Sequence, residues 1–597
     1  MGRSQSTGLA WALVAGFALA MILPIAATPF LGDDIFNSYI NGAIGWDGHT
    51  TFWQFLADIN ANYISGGRFF PGALLETYGL FHIMPSLPVY KTFQVLITLA
   101  NVFTFYVLLR EFRMPRAIAL LGVVVLLCTF QMRVYYDGLL GQSGDIEVIT
   151  ELALLSMYLL QRFLRRGESW ALVGSIAAYA AVLLIYEITY LLWLALLVVL
   201  IASVPRRRAL QLVTPYFVLS ALAICIQLYV KSAAHLKADA DYNLSLNLGL
   251  LIATFAKQAL AAVPFTYVLI DPSNMFAHGA GVFRNVPFWV SIAIFAVAAL
   301  ATWTLDTQLD RSDIPLTGIR ALAAAGPILW LTPALLVASS VRYQRELVFG
   351  LGHAPVYVEY FGVSMVIVAA LAYAARRWGV PSRSVRLIVA MAFGLAASVM
   401  YASNVDVIAT HVSDSDGISN MNAALEYGLM SDVPAGSDLF VDLTIPLNRY
   451  LEGSPANPKY YYFFKTGKRL AVHYLGMLPK QVPCSGECRL PRNSYELINI
   501  PIGPNAGFDA LGKLSAFSSS GGEIRSFASA VVLFVRGVPS ETPLALQYME
   551  HGCRHADRVV SRTLSPQPSG TEMIRLASGC GSIEMNTIAI SAVVAIR

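Results

Sequence analysis

Apolar residues in this chain gather into blocks long enough to cross a membrane, separated by short polar stretches. A helix rising ~1.5 Å per residue needs about 20 apolar residues to span roughly 30 Å of hydrocarbon. Blocks of that kind lie near residues 8–31, 88–109, 116–132, 146–163, 209–230, 287–305, 316–339, 356–375 and 386–402. A further block, Ser169–Val204, is too long for one crossing, since about 36 residues would reach roughly 54 Å. Its centre reads LLIYEITYLL, with Glu187 in the middle. Arg165 and Arg166 stand before it and Arg206, Arg207 and Arg208 after it, which puts both ends on the cytoplasmic side. The block therefore reads as a hairpin of two short helices turning near Tyr186 and Glu187, and the pattern predicts about 11 spans in all.

Composition agrees with a membrane protein: 56% of the 597 residues are hydrophobic, 13% are charged, and the mean hydropathy is +0.59. Placing the amino terminus in the cytoplasm makes every inner loop basic: Arg110, Arg113 and Arg116; Arg162, Arg165 and Arg166; the Arg206 triplet; Arg311 and Arg320; and Arg376, Arg377, Arg383 and Arg386. The net charge of +4 is thus mostly an orientation signal and calls for no nucleic-acid partner. The small residues of PIAAT resemble a signal-peptide cleavage site, but the length of the first block and the many later spans favour an uncleaved first helix. The expected organisation is a membrane core over residues 1–402, with outer loops 32–87, 231–286 and 340–355, followed by an extracytoplasmic domain over 403–597. No internal repeat or low-complexity segment stands out.

After Ser403, short β-prone runs such as DLFVDL, RLAVHYL, SAVVLFVRG and NTIAISAVVAI alternate with polar, Gly- and Pro-containing stretches. They predict a compact α/β or mainly β domain. Four of the six cysteines fall here: Cys484, Cys488, Cys553 and Cys580. An even number in an exported domain favours disulfides. Three pairings are open, and proximity favours Cys484 with Cys488 and Cys553 with Cys580. A four-thiolate zinc site is the rival reading, against which the irregular spacing and an oxidising compartment both argue.

Candidate chemistry gathers at four places on the expected outer face. In LGDDIFNSYI, Asp33 and Asp34 follow the first span directly. One aspartate suffices to cap the next helix, worth about 1 kcal/mol; the second is left to explain, and paired carboxylates suit general-base work because their mutual repulsion raises one pKa. In YISGGRFFPG, glycines admit close backbone approach and Arg68 offers a donor fork for phosphate; a plain turn with a snorkelling arginine reads equally well. The preceding WQFLADINANYI has the spacing of a helix lying in the interface plane. In SSVRYQRELVFGLGHAPVYVEYFG, Arg342, Tyr343, Arg345, His353, Tyr357 and Glu359 could hold a phosphate and orient a sugar, or contact lipid headgroups; His353 alone is more often structural. In YYDGLLGQSGDIEVITEL, Asp137, Asp145, Glu147 and Glu151 precede or enter the fourth span, and Glu147 and Glu151 share a helix face. Ionisable groups at that depth face protein or a wet cavity. Glu187 could line the same cavity or sit in a solvated turn.

The order of these motifs resembles the GT-C superfamily of integral-membrane glycosyltransferases: a first span ending in LGDD, an outer loop with an interfacial helix and GGRFFPG, a short hairpin around YE, a late outer loop with RYQRE and PVYVEYFG, and an exported carboxy-terminal domain. Within it, the chain is most similar to bacterial enzymes that decorate envelope glycans or proteins, including phage-type glucosyltransferases and arabinosyltransferases. The resemblance covers roughly the first 400 residues. It implies transfer of a sugar from a polyprenyl-phosphate carrier, usually with inversion, to a glycan or protein acceptor outside the cytoplasm. The family's essential acid lies in the first outer loop, which here matches Asp33 and Asp34. The adjacent DD departs from the spaced DxD of the metal-dependent oligosaccharyltransferases, which argues against a required divalent metal. No nucleotide-binding P-loop pattern occurs in the sequence.

On this reading one of Asp33 and Asp34 is the base and the other orients or tunes it, while Arg68, Arg342 and Arg345 hold the donor phosphate. The exported domain would recognise the acceptor. A flippase or transporter of lipid-linked sugars and a non-catalytic envelope assembly protein remain as alternatives; transport would need polar residues deep in the spans as well. Reporters fused after Val204 are expected to read cytoplasm and those after Ser403 the exterior, and the opposite result for the tail would overturn the sidedness of every candidate residue. Without reductant the four carboxy-terminal cysteines are expected to resist alkylation; full alkylation of the native protein would exclude the disulfides.

Overall fold

The computed structural model describes residues 3–134, 137–234, 244–245, 247–269, 283–306, 314–378, 382–426, 430, 433–441 and 457–474, and further on the strands between 494 and 596. The cysteine pairs expected at Cys484, Cys488, Cys553 and Cys580 lie outside the described residues. Two compact units share the chain: Met1–Ser38 with Thr51–Val412, and Tyr39–Thr50 with Ser413–Arg597. The boundary expected after residue 402 falls inside a long helix, and twelve residues of the first long loop belong with the second unit.

The first unit is helical. Its elements are α1 (Arg3–Ile22), continued by a 3-10 turn (Leu23–Ala27), α2 (Asp33–Asn37), α4 (Phe52–Ser65), α5 (Pro71–Ile83), α6 (Leu87–Glu111), α7 (Arg116–Thr129), α8 (Asp145–Arg166), α9 (Ser169–Leu183), α10 (Leu192–Ser203), α11 (Arg206–Ala233), α12 (Leu248–Ala261), α13 (Thr266–Leu269), α14 (Phe288–Asp306), α15 (Leu316–Ala338), α16 (Val341–Glu346), α17 (Val356–Trp378) and α18 (Arg383–Glu426); α3 (Ile40–Trp46) lies in the second unit. Among the described residues, seven segments are long and apolar enough to cross a membrane: Gly8–Ala27, Leu87–Glu111, Arg206–Ala233, Phe288–Leu305, Leu316–Ala338, Val356–Trp378 and Arg383–Val412. This is a polytopic helical membrane protein.

The other four expected spans fall outside that measure of length and composition. The Arg116–Thr129, Ser169–Leu183 and Glu187–Ser203 segments are apolar but shorter. Helix α8 is long enough but carries acids at its start and arginines at its end. The expected hairpin is present: α9 ends at Leu183, a 3-10 turn covers Glu187–Thr189, and α10 begins at Leu192.

Helix α7 is buried from Ala117 to Thr129 and packed by α1, α6, α14 and α17. A helix apolar on every side is stable only when enclosed, so α7 forms the centre of the unit. By contrast α11 leaves Leu210, Phe217, Leu222 and Leu228 exposed, as expected of a peripheral helix facing lipid. Hydrogen bonds join the helices where apolar contact gives no direction. Ser156 donates to the Ser175 carbonyl at 3.0 Å, Ser175 and Tyr216 pair at 2.7 Å, and Tyr179 pairs with Ser220, tying α8, α9 and α11 together. At the far end of α8, Arg165 and Arg166 meet Glu111 at 2.8 and 3.5 Å.

In the second unit α3 packs on α19 (Asn457–Thr466) through aromatic pairs, Tyr39 with Tyr461 at 5.8 Å and Trp46 with Phe463 at 5.7 Å between centroids. Strands β1 (Asp438–Val441), β2 (Ala471–Tyr474) and β3 (Ser494–Ile500) pair in parallel, with Leu439 opposite Val472 and Tyr495. The remaining described strands are β4 (Gly522–Ser526), β5 (Ala530–Val535), β6 (Leu544–Gly552), β7 (Arg558–Leu564), β8 (Thr571–Arg575), β9 (Gly581–Asn586) and β10 (Ala592–Ile596). They pair antiparallel, giving sheet orders β2-β1-β3-β10-β5-β8 and β4-β9-β6-β7.

Candidate functional site

The chain leaves the 3-10 turn after α1 and enters α2 through Gly32, whose φ is +51°. A Cβ there would lie 2.9 Å from the Gly141 carbonyl oxygen, so glycine lets the 138–144 loop press directly against the start of α2. This contact gives the two aspartates different surroundings. Asp34 turns inward and is fully buried. One carboxylate oxygen accepts from the Tyr90 hydroxyl at 2.8 Å and the other from the Ser143 backbone N–H at 2.6 Å. Asp33 keeps an exposed face and meets the charges of Arg342 and Arg68.

Burial raises the pKa of both aspartates. For Asp34 it overcomes the Lys91 charge and the two hydrogen bonds and carries the value to about 7. Repulsion by Asp33 is the smallest contribution, so desolvation and not the adjacency of the carboxylates does most of the tuning. For Asp33, burial prevails over the lowering effect first of Arg342 and then of Arg68.

The loop carrying Arg68 is pinned on both sides. Gln227 of α11 accepts from the Phe69 backbone N–H at 3.1 Å. The Gly72 N–H donates to the Leu184 carbonyl at 2.9 Å, and a Cβ on Gly72 would approach that oxygen to 2.8 Å. The glycine therefore joins the loop to the α9–α10 hairpin. The Arg68 guanidinium lies 5.1 Å from the centre of the Phe70 ring and within electrostatic reach of Tyr186 and Glu187. Tyr186 is in turn coupled to Tyr343, whose ring lies 4.3 Å from that of His353. The structure thus brings Asp33, Arg68, Glu187, Arg342, Tyr343 and His353 into one neighbourhood.

Arg342 pairs with Glu346 at 3.0 Å along α16. Arg345 is exposed on the same short helix, and Arg342 is the arginine of this pair that acts on Asp33. His353 is buried with its pKa depressed to about 3, first by burial and then by the Arg342 charge, which keeps the ring neutral and fits a structural role. Asp137 closes its own loop, accepting from the backbone N–H groups of Arg133, Leu139 and Leu140 at 2.6, 2.7 and 2.9 Å. Glu359 is fully buried in α17 and accepts from Gln258 at 3.0 Å. Tyr357 accepts from Asn101 at 3.1 Å, and Glu147 is fully buried in α8.

Glu76, Tyr90 and Lys91 stand at the site without having been marked by any motif in the sequence. Glu76 of α5 forms a hydrogen-bonded acid pair with Asp145 of α8, one of the candidate acids, next to Thr77, and burial raises the pKa of both. Tyr90 and Lys91 stand at the start of α6 beside Asp34. A lysine inside an apolar span was the available signal. Among the described residues, no group of three or more His, Cys, Asp or Glu is arranged to hold a metal ion.

No protein-family model matches the chain, and no curated protein matches it significantly.

The raised pKa of Asp34 has a consequence for stability. The folded form binds this proton up to about pH 7 while the unfolded form releases it near 3.8; across that window the folded state binds more protons, so this group's contribution falls as pH rises and is fully lost above pH 7. Thermal unfolding of purified protein between about pH 4 and pH 7 is expected to show a shallower decline for Asp34→Asn than for the parent, because asparagine keeps an acceptor and has no proton to release. An unchanged slope would show that Asp34 is ionised throughout.

Proposed function

We propose that the protein transfers a sugar from a polyprenyl-phosphate donor to an acceptor, an envelope glycan or surface protein, at the outer face of a bacterial cytoplasmic membrane. The observation that carries this reading is a carboxyl with an exposed face, Asp33, within reach of the charges of Arg68 and Arg342 beside helices of membrane-crossing length. A base with elevated affinity for protons and two fixed cations is what attack by a hydroxyl on a phosphate-linked sugar requires.

The roles divide as follows. Asp33 takes the acceptor proton, and Asp34 holds α2 in place through Tyr90 and Ser143. Arg68 and Arg342 receive the phosphate and stabilise the charge it gains as it leaves. Tyr343 and Glu187 border the sugar. The exposed Trp53 of α4, 65% accessible, suits a helix resting at the lipid headgroups. The reading includes GT-C membership, about 11 transmembrane helices, a cytoplasmic amino terminus and an extracytoplasmic carboxy-terminal α/β or mainly β domain. Transport of a lipid-linked sugar is the second reading. The observation in its favour is a buried polar row, Gln94, Thr98, Asn101 and Thr104, running along α6.

Transfer can be followed with a radiolabelled polyprenyl-phosphate sugar in membranes of cells with and without the gene, the products being identified by mass spectrometry. Asp33→Asn is expected to lower turnover by about 10²-fold or more. Arg68→Ala and Arg342→Ala are expected to weaken donor use by very roughly 10- to 150-fold each, with lysine rescuing only in part. Arg345→Ala is expected to have the smallest effect of the three. Passage of labelled lipid across proteoliposomes without a new glycosidic bond would establish the transport reading instead.

A further inference from the structure

Helices α6 and α8 meet along a seam of polar side chains enclosed by the first unit. On α6, Lys91, Gln94, Thr98, Asn101 and Thr104 are all buried and recur at helical spacing on one face. Lys91 donates to Gln94 at 2.7 Å, Asn101 donates to the Glu147 carbonyl oxygen at 3.1 Å, and Thr104 donates to Glu151 at 2.7 Å. Glu147 sits in this seam at 0% exposure, and among the described residues neither of its carboxylate oxygens has a hydrogen-bond partner. Asn101 Oδ1 and Glu151 Oε2, also buried, have none either.

The charge around Glu147 is unbalanced. The groups within electrostatic reach are Asp34 of α2, Glu76 of α5, Tyr90 and Lys91 of α6, Asp137 of the following loop and Tyr357 of α17. Asp137 is engaged by three backbone N–H groups and by the charge of Arg133. That leaves one ammonium, Lys91, shared by two carboxyls, Asp34 and Glu147. Two buried carboxylates around one cation leave an uncompensated charge in an apolar interior, which costs several kcal/mol; one bound proton removes it. Asp34 has two donors from other residues to support its charge, whereas among the described residues Glu147 has no such donor from another residue.

We infer that Glu147 is a proton-binding site inside the membrane unit, and that Asp34, Lys91 and Glu147 hold one exchangeable proton between them. Once Asp34 is ionised against Lys91, the remaining proton resides on Glu147. It moves to Asp34 when Glu147 ionises, the Lys91 ammonium facing both positions. No atoms are gained or lost in the exchange. Buried oxygens without partners are where ordered water belongs, and water along the seam would connect Glu147 to Glu151. The inference stands on the buried geometry alone and holds whichever reaction the protein performs.

Infrared spectra of the full-length protein in lipid nanodiscs, recorded across pH in H2O and D2O, test this directly. A carboxylic-acid carbonyl band is expected near neutral pH, shifted by deuterium exchange, and reduced by one carboxyl equivalent in Glu147→Gln; Glu168→Gln, which alters a partly exposed ion pair with Arg162 at the far end of α8, should leave it unchanged. Asp34→Asn removes a competing negative charge and should lower the pH at which the band titrates, while Lys91→Gln removes the cation and should raise it, each by at least about one unit, a tenfold change in proton affinity. These two variants keep Glu147 and decide the matter even where Glu147→Gln fails to fold. Equal band intensity in the parent and Glu147→Gln, or a titration unmoved by both neighbours, would overturn the inference.

Discussion

The cost of keeping charge away from water governs this end of the helical unit. Asp34, Asp137, Glu147 and Glu359 are buried and Asp145 is partly buried, and each carboxyl must be neutralised by a proton, a cation or backbone donors. The structure uses all three means. Asp137 takes three N–H groups of its own loop, Glu76 and Asp145 share a hydrogen bond, and Lys91 serves Asp34 and Glu147 together. Asp33 alone among these neighbours retains an exposed face, and it does so because Asp34 holds the short helix α2 from beneath.

That arrangement depends on parts far from any charge. The enclosed helix α7 ends at Thr129, and the chain beyond it is fixed by Asn404, which accepts from the Met132 N–H at 2.8 Å and donates to the Phe130 carbonyl at 3.0 Å. Arg133 then donates to the carbonyls of Gln131 and Ala261, and Asp137 turns the loop toward Gly138 and Ser143. Only with this loop in place does Ser143 reach Asp34 and Gly141 reach Gly32. Core packing, loop geometry and carboxyl chemistry form one chain of dependence, so a fault in the 130–144 segment would reach the aspartates without altering either of them.

Much of the fold was legible in the sequence because membrane spans depend on a single variable, the length of apolar runs. The excess length of Ser169–Val204 foretold the break near Glu187, where the structure has a 3-10 turn. Blocks 116–132 and 146–163 meet the same measure in the sequence, whereas α7 is only 14 residues long and α8 has acids at its start and arginines at its end; run length does not distinguish a helix enclosed by protein from one facing lipid. The Asp33 and Asp34 pair was visible as an anomaly, but its division into an exposed and a buried member was not. It follows from a long-range contact with residues 141–143, and no local pattern records that. Lys91 and Glu76 were hidden for a related reason: each sits singly in an apolar stretch, and only tertiary packing puts them beside acids more than fifty residues away in sequence.

The same packing explains why neighbouring carboxyls of similar chemistry are not interchangeable here. Asp33 faces two arginines and solvent, so its ionisation responds to whatever anion approaches Arg68 and Arg342. Asp34 faces Tyr90, Ser143 and Lys91, so its ionisation responds to the protein interior. An anion arriving at the arginines would weaken their hold on the Asp33 charge and so raise its affinity for a proton. Under the proposed transfer, a lipid phosphate bound there would strengthen Asp33 as a base. The interior group beneath, shielded by Asp34 and balanced by Lys91, lets this happen without bringing a second unpaired charge into the apolar core.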